Sequence, residues 1–174
     1  GVSLYMWTAI LSTTLTFLAL GYQLGGWFAK KVKLESYSSL LLSIPILSSF
    51  FIFLSCLLYP LILPTLLGAG LILGSFIGCC ILLAFPLTLL SSMNPMLIAF
   101  FRQSNDNKDV RKDSGVGFVF FVSTIGSVTG VLTTALLLVS NIQNYSAMIF
   151  NGIFLGLFTL LVNFITKENR PRLV

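Results

Sequence analysis

The strongest constraint on this chain is where its charge is missing. Five stretches of about 20 residues or more, at 4–28, 40–58, 63–90, 116–139 and 147–165, contain no Asp, Glu, Lys or Arg, and the chain has no His. About 20 apolar residues are what an α-helix needs to cross the hydrocarbon core of a bilayer. The composition leaves no soluble alternative: 56% of residues are hydrophobic and 9% charged, where a soluble domain carries about 25% charged residues. A surface of that kind can face lipid but not water. The expected fold is therefore all-α, a polytopic transmembrane bundle of five spans forming a single domain.

The charges that do occur fix an orientation. All ten basic residues fall in three segments: Lys30, Lys31 and Lys33; Arg102, Lys108, Arg111 and Lys112; Lys167, Arg170 and Arg172. The turns at 59–64 and 140–145 carry none. Alternate loops thus hold every cation, which by the positive-inside rule makes them cytoplasmic and puts the N-terminus outside and the C-terminus inside. The five acids (Glu35, Asp106, Asp109, Asp113, Glu168) share those segments. The net charge of +5 is therefore read as topology, with the lipid bilayer as partner and no nucleic acid. The aromatic residues Tyr5, Trp7, Tyr59 and Tyr145 are expected at the outer boundary, Trp27 and Tyr37 at the inner one.

The third window needs a break. A single helix over 63–101 would be about 58 Å long at ~1.5 Å per residue, roughly twice a ~30 Å hydrocarbon core. Ser91-Ser92-Met93-Asn94-Pro95 is the expected structural turn, because proline disfavours helical geometry in the preceding residue and Asn94 favours turns. Residues 96–101 would then lie flat as an interfacial segment, followed by a polar cytoplasmic loop at 102–115. Pro45 and Pro86 are expected to kink their spans.

Small residues recur at four-residue spacing: Gly21 and Gly25; Gly70, Gly74 and Gly78; Gly126 and Gly130; Gly152 and Gly156. Such faces let helix backbones approach closely. They are expected mainly to pack this bundle, with the triple repeat as the candidate face for another subunit or a second copy. Asn151 is the deep polar side chain, expected to hydrogen-bond between helices.

Catalytic, cofactor-binding and metal-ligating residues are not found. Cys56, Cys79 and Cys80 lie in apolar sequence without a His to complete a zinc set. No phosphate loop, dinucleotide fingerprint or Ser/His/Asp set occurs. Spans free of ionisable groups also argue against an ion-coupled carrier, which keeps such groups in the membrane. Asn144-Tyr145-Ser146 matches a glycosylation sequon but lies in a very short turn against the membrane and is read as chance.

Three segments carry a resemblance. Gly21-Tyr22-Gln23-Leu24-Gly25-Gly26-Trp27-Phe28-Ala29-Lys30 resembles the GYxLGGxxADR junction of the membrane part of fused major-facilitator/spermidine-synthase-like proteins. Phe85-Pro86 through Ser92-Met93-Asn94-Pro95-Met96-Leu97-Ile98 resembles their P…GMxxPxLIR segment, and Ser123-Thr124-Ile125-Gly126-Ser127-Val128-Thr129-Gly130 their STLGSxxG helix. The resemblance implies a six-span half whose first helix would precede Gly1, in a bacterial inner membrane. In that family a soluble aminopropyltransferase domain commonly follows, but nothing in these residues corresponds to it, so no catalytic residue is carried over. The reading that results is a non-catalytic membrane scaffold or anchor within a larger assembly. The alternatives are a transport module resembling half of a major-facilitator carrier, and a small accessory subunit.

Overall fold

A computed structural model describes residues 2–31, 34–68, 70–104 and 112–168. Gly1, residues 32–33, Ala69, most of the charged loop (105–111) and residues 169–174 lie outside the described residues. The chain is an all-α bundle with no strand among the described residues. Its helices are α1 (Val2–Lys31), α2 (Leu34–Leu67), α3 (Leu71–Ser104), α4 (Lys112–Thr133), the short α5 (Val139–Asn141) and α6 (Asn144–Glu168). A π-helical turn, Thr134–Leu138, joins α4 to α5, and in it the Val139 N–H donates to Thr134 O five residues back. These elements contain five segments long and apolar enough to span a membrane: Leu4–Lys31, Ser39–Ile62, Ile72–Phe101, Val116–Asn141 and Tyr145–Thr166.

Burial is inverted relative to a water-soluble core. The buried polar residues are small hydroxyls, Thr13, Ser48, Ser49, Ser55, Ser91, Ser92 and Thr159. Leu57, Leu61 and Phe164 are each 70% exposed or more. Lipid tails are as apolar as leucine, so nothing drives large side chains inward, and close packing of small residues holds the helices instead.

α3 is the central helix. It packs against α1, α2 and α4, and α6 is held by α2. α1 and α3 run parallel, since Gly21 lies against Thr88 and Ser91 and Gly25 one turn later against Ser92 and Pro95. α2 is antiparallel to both. The charged helix ends thus gather at one end of the bundle, called the basic end below. A cluster of buried apolar residues (Leu41, Ile44 and Met96, with Ala29, Leu89, Met93 and Leu97 around it) sits near that end.

Two expected breaks are absent. The turn expected at 59–64 is helical, and α2 continues through Pro60 and Pro64 to Leu67. The chain reverses instead between Leu67 and Leu71, and Gly70 there has φ +84°, the only positive φ among the described residues. That conformation is open to glycine at no steric cost, while the prolines keep a helix-compatible φ. Gly70 is therefore a turn residue and not part of a packing face. Likewise α3 runs unbroken through Pro86 and Pro95 to Ser104. Residues 96–101 continue α3 rather than lying flat, and Met96 is completely buried.

A proline inside a helix removes one hydrogen bond and leaves the carbonyl four residues earlier without its donor. In a membrane such carbonyls are re-satisfied by neighbouring helices. Pro86 frees the carbonyl of Leu82, and Ser55 on α2 donates to it at 2.9 Å. The Pro95 ring lies in the space left by Gly25, where a Cβ would stand 2.6 Å from its Cγ. Each proline thus meets a small residue on a neighbour, and the helix survives. At 34 residues α3 is ~51 Å long, so it must tilt or extend beyond a ~30 Å core.

Candidate functional site

The glycine pairs read from the sequence have different surroundings. A Cβ on Gly21 or Gly25 would collide with the α3 backbone at Thr88 O and Ser92 O. On α3, a Cβ at Gly74 would stand 2.5 Å from Leu66 O, and one at Gly78 3.2 Å from the Leu66 side chain. On α6, Gly152 faces Ile52 and Phe53, and Gly156 lies 3.0 Å, by the same measure, from Ser49 Oγ. These faces are closed within the chain, including the α3 face expected to receive another subunit. Gly126 and Gly130 on α4 are the exception: among the described residues, nothing lies within 4 Å of where their Cβ atoms would be.

Those two glycines do not face outward at random. They share a stripe, at helical spacing of three and four, with buried Val119 and half-buried Ser123 and Thr134. The face that turns toward the bundle at its two ends therefore stands clear in the middle. α4 reaches the bundle through α3, and it is the least buried of the five spans.

The hydroxyl contacts that join α2 to its neighbours were not among the features singled out from sequence. Ser48 Oγ donates to Pro86 O at 3.3 Å and Ser55 Oγ to Leu82 O, both on α3. Ser49 Oγ donates to Gly152 O at 2.7 Å on α6. Ser48 and Ser55 are seven residues apart and so lie on one face, while Ser49 starts the next. That spacing was the available signal. Asn151, expected to make such a bond, is exposed on α6, and Gln23 and Asn163 are exposed as well. Asn94 is half-buried within α3 beside Pro95.

Two of the cavities between helices are lined by described residues. The larger, about 540 Å³, runs between α2, α3 and α6 toward the basic end and is walled by Leu41, Pro45, Met93, Leu97, Leu155, Phe158 and Val162. Its two lining hydroxyls are already committed, Thr159 to Leu155 O at 2.7 Å and Thr166 to Val162 O at 2.8 Å. The smaller, about 390 Å³, lies toward the opposite end between α1, α2, α3 and the start of α6, with Met6, Tyr59, Leu66, Cys79 and Met148 among its walls. Tyr59 and Tyr145 meet there across α2 and α6, ring centroids 6.4 Å apart.

Among the described residues no group of three or more His, Cys, Asp or Glu is placed to hold a metal ion. The three cysteines are unpaired, with Cys56 buried and Cys79 and Cys80 half-buried. What the arrangement offers is close helix contact and an apolar groove. Compared with protein-family models, curated proteins and solved structures, the chain matches none.

Proposed function

We propose that this chain is a non-catalytic membrane scaffold, a subunit that holds a partner's transmembrane helix. The observation that carries the reading is the α4 pair. Gly126 and Gly130 have the spacing of a close-packing face, yet none of the described residues lies within 4 Å of it, while the other glycine faces are filled from within. A helix from another membrane protein, or from a second copy, would find there the close backbone approach that small residues permit. The resemblance of this same segment to the membrane part of spermidine-synthase-like fused proteins agrees with an anchoring role. On this reading the chain sits in a bacterial inner membrane with its basic end cytoplasmic, as the positive-inside rule favours.

Transport is the second reading, and the cavities weigh against it. Neither is lined by an ionisable side chain other than Tyr59 and Cys79. Extraction in mild detergent separates the two readings. Stable co-purification of a partner, lost in Gly130→Leu, with no substrate flux after reconstitution into liposomes, supports the scaffold. Flux from the purified chain alone would overturn it. The orientation is checked by cysteine labels at Asn107 and Asn141, which are expected on opposite sides of the membrane.

A further inference from the structure

We infer that the groove between α2, α3 and α6 is a binding site for one acyl chain of an anionic phospholipid, whose headgroup is held at the basic end. The walls of this groove are apolar, and the hydroxyls of Thr159 and Thr166 are donated to their own helix. A ligand there gains contact area but no hydrogen bond, which suits a hydrocarbon chain and not a polar solute. Its length fits as well. On α6 the lining stripe runs from Leu155 through Phe158 and Val162 to Thr166, about 16 Å at ~1.5 Å per residue. That is close to one leaflet, half of a ~30 Å hydrocarbon core. The volume of about 540 Å³ lies within the ~300–1,000 Å³ range of small-ligand sites.

Charge selects the headgroup. Every charged residue of the chain falls in 30–35, 102–113 or 167–172, with ten basic residues against five acidic. α1, α3 and α6 end, and α2 and α4 begin, at the end of the bundle at which the groove's Phe101 and Thr166 lie. Arg102 and Lys167 each follow one of those two lining residues directly in sequence. Glu168 is the nearest acid in sequence, one residue beyond Lys167. On α1, Lys30 and Lys31 are exposed at the same end, and the Lys31 ammonium lies 3.7 Å over the Trp27 ring. Each cation near a membrane surface attracts anionic lipid, and basic sites between transmembrane helices hold such headgroups. The site is independent of the scaffold reading, because α4 contributes no wall to it.

The test uses the full chain reconstituted in bilayers of phosphatidylcholine doped with either phosphatidylglycerol or phosphatidylcholine of identical tails bearing a photoactivatable group. Photolysis followed by peptide mapping is expected to place adducts on α3 and α6 within 90–101 and 155–166. Labelling by the anionic lipid should be about tenfold above the zwitterionic one. Arg102→Gln with Lys167→Gln should bring the two lipids within about twofold while adducts remain in the groove. Equal labelling of the wild-type chain by both lipids would overturn the headgroup assignment. Adducts spread evenly over the exposed faces of all helices would overturn the groove. A groove left unlabelled because a co-purified polypeptide fills it would show that a partner helix, and not lipid, is its occupant.

Discussion

Gly21/Gly25 of α1 and Gly126/Gly130 of α4 are the same motif in sequence, and the fold treats them in opposite ways. The α1 pair is pressed against the α3 backbone so closely that a methyl group has no room. The α4 pair, equally spaced and on a helix that also packs on α3, meets nothing within 4 Å. Spacing therefore creates the opportunity for close contact, and long-range topology decides whether it is taken. The parallel register of α1 and α3 sets Gly25 opposite Pro95, so the proline ring enters space on α1 that a side chain would fill. α4 arrives after the long charged segment and has no comparable partner within the chain.

The comparison breaks first, and hardest, at α1. Gly25→Leu is expected to destabilise the bundle by about 3 kcal/mol or more, beyond the usual 1–3 kcal/mol of overpacking, because the obstruction is backbone and not a movable side chain. Gly25→Ala should already be harmful, since its single added carbon collides with Ser92 O. Reversible unfolding in mixed micelles gives the number. An unchanged stability for Gly25→Ala would mean that α1 and α3 are not in the register described.

Next in size is Gly74, whose Cβ would approach Leu66 O at 2.5 Å. Gly74→Leu should cost about 1–3 kcal/mol, less than Gly25→Leu because its contact is with Leu66, one residue from the end of α2, and not with the middle of a long helix. The same unfolding assay checks the order, and a Gly74 effect exceeding that of Gly25 would reverse it.

Ser55→Ala tests whether proline and serine act as a pair. Interhelical hydrogen bonds in membranes are worth about 0.6 kcal/mol on average, ~1.7 at most, and Ser55→Ala should fall in that range. Pro86→Ala restores a helical N–H able to donate to Leu82 O, so the carbonyl keeps a partner without Ser55. A double-mutant cycle should therefore show Ser55→Ala costing measurably less in the Pro86→Ala background. Additive effects would mean that Ser55 acts through packing alone.

These residues also show what the sequence could disclose. The spans were legible because hydropathy and loop charge are single-residue properties that need no partner. Pro95 was misread because a proline's cost depends on a neighbour: it looked like a break until Gly25 made room for its ring, and the hydrogen bond lost at Pro86 is likewise replaced from outside the helix, by Ser55. Met96 looked interfacial from its place after that supposed break, and it is instead the most buried apolar residue. Gly70, the third member of an apparent stripe, belongs to a turn because Pro60 and Pro64 did not end α2. Asn151 was assigned an interhelical bond on chemistry alone, and the angular position of α6 on α2 turned it outward. The α4 glycines were identified as a packing face, but only the three-dimensional arrangement distinguishes an occupied face from an open one.

The smallest expected effect is the one that defines the contrast. Gly126→Leu adds a large side chain where no atom lies within 4 Å, so no overpacking term arises. Leucine is also the better helix former, by up to ~1 kcal/mol. The stability of the isolated chain should therefore stay within about ±0.5 kcal/mol of wild type, as for substitutions that touch nothing. Set against a loss of ~3 kcal/mol for the same substitution at Gly25, this is a separation that one assay resolves. If Gly126→Leu destabilises the purified monomeric chain by as much as Gly25→Leu, the α4 face is closed within the bundle. The vacancy on which the scaffold reading rests would then not exist. If it leaves the monomer intact yet abolishes an assembly, the face belongs to a partner, and the two glycine pairs differ only in whose helix they hold.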